Sequence, residues 1–359
     1  MEYPVLTDAM TPIERLTAYG RGEPVDRLPC VPIVGNGAAR VIGCRISEFR
    51  GNGRRIAQAQ IAAYRLFKYD TVRVFTDLYV LAEAMGARVE YPLDETAHLE
   101  TPAIGDPSEI GRLKPADPYR DGNLPHHLEA LKIVQDEVGR EVPVAGAVVC
   151  PFTTASFLLG ADNLIRLTIR NPEAVHRLCE LSLETAMGYA QAVIDAGCSP
   201  SLTEPVSTST IISPAQFREF SFPYLKRLSD FIHSRGKSVT LHICGRTSRI
   251  WELMADAGAD CISIDEVEEL DKAKRLVGQR VRLMGNVSPS DTMLLGSPAV
   301  VRQATIDCIR KGHDNPKGYI VASGCSLPTE TPFANIHAML DTVREIGWPV
   351  TAEKLAAME

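Results

Sequence analysis

This 359-residue chain lacks several things. Basic residues do not outnumber acidic ones: 38 Lys and Arg stand against 45 Asp and Glu, a formal charge of -7, so no nucleic-acid-binding surface is expected. No stretch reaches the roughly 18 apolar residues of a membrane span. The opening MEYPVLTDAMTPIERL has neither the basic nor the apolar region of a secretory signal. A cytoplasmic protein with no membrane contact is therefore the expectation. Repeats, low-complexity segments and long Gly/Ser or Pro-rich linkers are also missing, which favours one domain over residues 1–359, with 1–29 a helical N-terminal extension. The nine cysteines are scattered and odd in number, so reduced thiols are the default and some are open to metal.

What is present is an alternation of short β-branched runs and amphipathic stretches. The runs are CVPIV (30–34), TVRVF (71–75), VPVAGAVV (142–149), CSPSLTE (198–204), SVTLHIC (238–244), DCISID (260–265), VRLMGN (281–286) and GYIVASG (318–324). Between them lie stretches with helical periodicity, such as RRIAQAQIAAYRLF and PAVVRQATIDCIRK. Three open on a capping residue followed by proline: Asn171-Pro172, Ser213-Pro214 and Ser297-Pro298. Eight such pairs predict an α/β fold of the (β/α)8 TIM-barrel type, with a doubly wound open sheet as the alternative. Residues 92–125, rich in Pro, Asp and Gly, read as a long excursion after the second strand.

Chemistry in such a barrel sits where the strands end. The run ends carry Asp77, Glu204, His242 with Cys244, Asp265 with Glu266, Asn286, and Cys325. His242 and Cys244, two apart on a strand, project to one side, and Cys325 follows a strand on the opposite side of the mouth. One imidazole and two thiolates suit Zn2+, and Glu204 on the neighbouring strand is a candidate catalytic residue, either as a fourth ligand that substrate displaces or as a group standing behind the ligands. The bland alternative is that His-x-Cys is core packing, since free cysteine is among the most buried residue types. Asp77 is a second candidate catalytic residue. Asn286 is a candidate substrate contact or a strand-ending turn, and Arg246 a candidate partner for an anionic substrate or a helix-surface residue. The remaining cysteines read as structural.

These residues carry a resemblance. The segments VFTDLYVLAEAMGARVEY (74–91), EPVSTSTIISPAQFREFSFPYLKRL (204–228), LHICGRTSRIWELMADAGADCISIDE (241–266), LMGNVSPSDTMLLGSP (283–298) and ASGCSLPTETPFANIHAM (322–339) resemble the uroporphyrinogen decarboxylase superfamily, and within it the zinc-dependent methylcobamide:coenzyme M methyltransferases. The resemblance implies a zinc site at His242, Cys244 and Cys325. It also implies transfer of a methyl group between a methylated corrinoid (a cobalamin) and a small thiol or folate acceptor. A separate corrinoid protein is the implied partner, since the chain has no D-x-H-x-x-G corrinoid motif. The alternative within the superfamily is a metal-free uroporphyrinogen decarboxylase centred on Asp77. Against it, DRLPCVPIVGNGAARVIG departs from the decarboxylase arginine motif, and Cys325 stands where decarboxylases have histidine. A non-catalytic corrinoid or porphyrin carrier, with zinc closed by four protein ligands, is the reading from another class.

Overall fold

The computed structural model describes residues 7–358. Ten strands lie among them: β1 (Cys30–Val31), β2 (Val72–Val74), β3 (Arg88–Glu90), β4 (His98–Thr101), β5 (Val144–Val149), β6 (Ser199–Thr203), β7 (Thr240–His242), β8 (Cys261–Ser263), β9 (Arg282–Val287) and β10 (Tyr319–Ser323). All but β3 and β4 join one parallel sheet in the order β1-β10-β9-β8-β7-β6-β5-β2. Seven sheet strands fall inside one of the eight runs predicted from sequence, and β9 passes the end of its run by one residue, Val287. The helices Gly53–Phe67, Leu124–Val138, Pro172–Asp195, Phe222–Ser234, Trp251–Asp256, Leu270–Val277, Pro298–Gly312 and Phe333–Ile346 follow the eight strands in turn. This is an α/β fold of the (β/α)8 TIM-barrel type. The predicted caps form: Asn171, Ser213 and Ser297 each accept a backbone N–H from inside their own helix.

The alternation of each strand divides its residues between two cores. Outward residues such as Val72, Val148, Leu202, Leu241 and Ile262 pack under the helices. A smaller apolar cluster, Val31, Ile33, Cys261, Met284, Ile320 and Ala322, sits inside the barrel.

No ladder joins β1 to β2 in the sheet order, and the N-terminal extension meets the barrel at this seam. Asp70, fully buried just before β2, accepts the Cys30 N–H at 2.6 Å, while its own N–H donates to the Cys30 carbonyl at 2.9 Å. The same carboxylate binds Arg15, from the helix Pro12–Gly20, at 2.5 Å and Arg27 at 2.6 Å. Asp26 and Asp8 complete the charge balance around the two guanidiniums. Residues 1–6 of the predicted extension lie outside the described residues.

Two features were not legible as elements. The β3–β4 antiparallel hairpin begins before the predicted excursion and ends inside it, and the helices Pro151–Leu159 and Ala161–Arg170 precede the long helix Pro172–Asp195. The first of these helices, PFTTASFLL, is buried on every side, so its sequence has no polar face to mark a period.

Candidate metal centre

The last residue of β7 is His242, and its register partners on the two neighbouring strands are Thr203 and Ser263. All three side chains share the inward face. Ser263 Oγ lies 3.0 Å from His242 Nδ1, which turns the ring so that Nε2 faces the mouth. There Nε2 is 3.1 Å from Cys244 Sγ, and Cys244 Sγ is 3.7 Å from Cys325 Sγ. The three donor atoms all lie within 4.8 Å of one another. Among the described residues this is the one group of three or more His, Cys, Asp or Glu side chains so placed.

Backbone geometry brings the two cysteines together. Gly245 adopts φ +72°, a left-handed turn that ends the strand path immediately after Cys244, and its N–H donates to Asp265 Oδ2 at 2.7 Å. Across the mouth, a Cβ on Gly324 would meet the Glu266 backbone nitrogen at 2.5 Å. Only a glycine there lets the chain leave β10 close against the loop after β8, and that approach delivers Cys325. The Cys-Gly and Gly-Cys pairs are thus steric requirements of the cluster.

The donors fit a tetrahedral ion. With Zn–S near 2.3 Å and Zn–N near 2.05 Å, tetrahedral edges come to about 3.8 Å for S–S and about 3.6 Å for N–S. The observed S–S edge matches, and the N–S edge closes up by half an ångström as befits a direct hydrogen bond between the two. Proton sharing points the same way. The Cys325 thiol is held down to about 4, chiefly by the hydrogen bond from Cys244 and then by His242, against the opposing effect of burial. Cys244 is pushed up because its proton is the one Cys325 holds, with burial adding to this. The pair thus favours negative charge on Cys325, and an arriving cation would draw the proton from Cys244 as well.

The structure brings His242, Cys244 and Cys325 together and places the other sequence candidates elsewhere. Glu204 does not join the group. Its backbone N–H donates to the His242 carbonyl at 3.0 Å, but its side chain, fully buried, turns to the helix Pro151–Leu159. Oε1 accepts the Thr153 N–H at 2.8 Å, the Thr153 hydroxyl at 3.2 Å and the Ser207 hydroxyl at 3.0 Å. Cys150, the residue preceding that helix, makes no capping bond of its own, so Glu204 caps it from the adjacent strand. Burial raises the carboxyl to about 7, with the hydrogen bonds opposing, and Oε2 has no partner.

Asp77 lines the mouth cavity, a space of about 570 Å³ that also touches His242, Cys244 and Cys325. Its oxygens accept from the Tyr79 N–H at 2.7 Å and the Thr76 hydroxyl at 3.0 Å, and burial raises its pKa. The Thr76 hydroxyl also lies 3.0 Å from Nε2 of buried His127, whose pKa burial lowers to about 4. Asn286 spends its amide on the loop after β8, donating to the carbonyls of Asp265 at 3.0 Å and Glu268 at 2.8 Å. Arg246 is exposed; its carbonyl binds Ser209 and Thr208, and the residue does not line the mouth cavity. Two residues that line or support the site, Ser263 and Arg73, were not singled out from sequence. The signal for Arg73 was its charge in the middle of the apolar run TVRVF; Ser263 becomes visible only once strand register is known.

Known proteins similar to this chain include methyltransferases and decarboxylases. The chain is 30% identical over 331 residues to a methylcobamide:CoM methyltransferase of Methanosarcina barkeri, covering 91% of this chain and 95% of that one. It is also 28% identical to a uroporphyrinogen decarboxylase of Anaeromyxobacter dehalogenans, covering 93% and 99%. Among solved structures, a methyltransferase from Methanosarcina mazei superposes with a TM-score of 0.86 at 28% identity, covering 94% of this chain and 99% of that one. The family model for uroporphyrinogen decarboxylase (URO-D) matches residues 11–346, and the chain belongs to that family.

Proposed function

We propose that the protein is a zinc-dependent methyltransferase that moves a methyl group between a methylated corrinoid, carried by a separate corrinoid protein, and a small thiol acceptor. The observation that carries the reading is the convergence of His242 and Cys244, from β7 and the turn after it, with Cys325, from the turn after β10, into one group whose donor atoms all lie within 4.8 Å of one another. A relative over most of the chain's length that is named a methylcobamide:CoM methyltransferase, and a solved methyltransferase of the same fold, support it.

In this reading the three side chains would hold Zn2+ beside the mouth cavity. A bound zinc ion would take the acceptor's sulfur as a thiolate at neutral pH, where a free thiol with a pKa of about 8.5 is mostly protonated. The sulfur lone pair forms the new S–C bond to the methyl group, the Co–C bond breaks, and its electron pair leaves with cobalt as Co(I). Two cysteine thiolates balance the divalent charge, which preserves the nucleophilicity of the substrate sulfur. Ser263 orients the imidazole, and Glu204 fixes the segment 205–207 beside β6 rather than serving as a ligand. A folate acceptor would use the same three residues.

Asp77, in the mouth, favours uroporphyrinogen decarboxylation as the second reading. The mouth cavity offers a single arginine to a substrate with eight carboxylates, which weighs against it. The deciding experiment is zinc content of purified protein with Cys325→Ala and His242→Ala beside it, followed by thiol methylation from free methylcobalamin. About one zinc per chain, lost in both variants together with methyl transfer, supports the proposal. Zinc retained by both variants, or decarboxylation of uroporphyrinogen by a metal-free protein, overturns it.

A further inference from the structure

The lower end of the barrel, where the strands begin, is emptier than its architecture predicts. Such interiors are packed by layers of bulky branched side chains, and one side of this barrel is filled in that way by the inner cluster that includes Val31, Met284 and Ile320. On the other side the inward positions of β5, β6 and β7 are small: Ala145, Ser199, Ser201 and Thr240. They leave a cavity of about 260 Å³, far more than a single water occupies. Its walls come from the amino ends of the strands, since Thr71 and Pro143 just precede β2 and β5, while Ser199 and Arg282 open β6 and β9. None of His242, Cys244 and Cys325 lines this space, and Arg282 does not line the mouth cavity.

Arg282 brings an unanswered charge into this cavity. Its Nε is shielded from solvent and donates to nothing. Among the described residues no carboxylate stands within ion-pair distance of the guanidinium, whose one ring contact is with Tyr19, at 5.9 Å. Arg73, at the upper limit where this space meets the mouth, adds a second guanidinium with Nε and Nη2 unpaired. No Asp or Glu among the described residues lines the cavity. Arg15 and Arg27 show the other arrangement, each enclosed and matched by two or more aspartates. A guanidinium has five N–H donors and no acceptor, so enclosed donors without a partner cost stability, and their planar fork fits an oxyanion through two parallel hydrogen bonds. Ser199 and Ser201 add hydroxyl donors from β6.

We infer that the lower barrel cavity is a second ligand site, distinct from the metal centre, that takes a small oxyanion on Arg282 with the β6 hydroxyls beside it. The ligand is a carboxylate or a phosphate small enough to sit inside the barrel, and it supplies the counter-charge that the chain itself withholds. The inference is independent of the methyl-transfer reading, because neither zinc nor a thiol takes part in it.

The test is calorimetric titration of the purified protein with inorganic phosphate, succinate and neutral succinamide at low ionic strength, in wild type, Arg282→Met, Arg282→Lys and Ser201→Val. Wild type binds one anion per chain about 10- to 100-fold more tightly than succinamide, the range expected of a charge-assisted contact. The tighter of phosphate and succinate identifies the headgroup. Arg282→Met loses that preference, and Arg282→Lys, which keeps the charge without the fork, recovers part of it. Ser201→Val exchanges the hydroxyl for two methyl groups, so it narrows the cavity while both guanidiniums stay; it should melt no lower than wild type and bind the anion about 10-fold more weakly. Should Arg282→Met not fold, Arg282→Lys and Ser201→Val decide. No saturable binding of either anion by wild type, equal binding of succinamide, or an affinity unchanged by the substitutions at both Arg282 and Ser201 overturns the assignment, the last by placing the anion outside this cavity.

Discussion

Replacing Ser263 with alanine should weaken zinc binding about 10- to 100-fold while leaving the fold intact. Among the described residues the hydroxyl is the only partner of His242 Nδ1, at 3.0 Å, in a position where serine is 3% and histidine 8% exposed. Alanine removes one oxygen and adds no bulk, so β8 keeps its ladder. The imidazole, however, must carry its Nδ1 proton without an acceptor whenever Nε2 binds metal. A buried donor left in that state costs about 1–3 kcal/mol, and loss of a partner behind a metal-bound histidine lowers affinity by about the same factor. At about 1.4 kcal/mol per tenfold, the two figures agree. The assay is competition for zinc with a chelator of known affinity at fixed pH, with thermal unfolding of the metal-free proteins as the control for folding. Ser263→Thr keeps the hydroxyl and should stay within a few-fold of wild type. If Ser263→Ala binds zinc as tightly as wild type, the imidazole presents its other nitrogen or does not bind the ion, and the proposed centre is wrong in its best-defined ligand.

Other outcomes follow from the same contacts. Gly324→Ala places a methyl group 2.5 Å from the Glu266 nitrogen, so β10 or the loop after β8 must shift; destabilisation of about 1–3 kcal/mol and loss of zinc stoichiometry are expected, read by thermal melts and metal analysis. Asp70→Asn leaves Arg15 and Arg27 short of a buried counter-charge and should cost about 3–5 kcal/mol in denaturant unfolding. Asp8 falls from 3.8 to about 2 in the folded chain, because burial is outweighed by the hydrogen bond from Arg27 and the charges of Arg27, Arg344 and Arg15. The unfolded chain then binds more protons between those values. Asp8 thus contributes about 2 kcal/mol of stability above pH 4, which is lost as pH falls from about 4 to 2, and Asp8→Asn should flatten that part of the stability profile.

The strands of the barrel were legible because each is short, β-branched and followed by a helical period, and the caps Asn171, Ser213 and Ser297 fixed where three helices begin. The β3–β4 hairpin was not, since HLET and RVE are too short and too polar to stand out from a Pro- and Gly-rich loop. In the site, His242 ends β7 with Cys244 two residues on, and Cys325 follows the end of β10, so their places at strand ends were legible from sequence. The direction of the Glu204 side chain is a different kind of fact. It depends on an uncapped helix N-terminus supplied by a segment whose sequence gave no helical signal, and the bonds to Thr153 and Ser207 turn the carboxylate away from the sulfurs.

The two ends of the barrel handle buried charge in opposite ways, and the contrast bears on function. At the seam between β1 and β2, where no ladder forms, Asp70 bridges the strands and Arg15 and Arg27 neutralise it, each with further aspartates, so that every formal charge there has a counter-charge from the chain itself. The sequence therefore contains the means to balance an enclosed guanidinium. At the mouth it does not use them: two thiols and an imidazole converge without a protein fourth ligand, and Arg73 stands beside them without an acid.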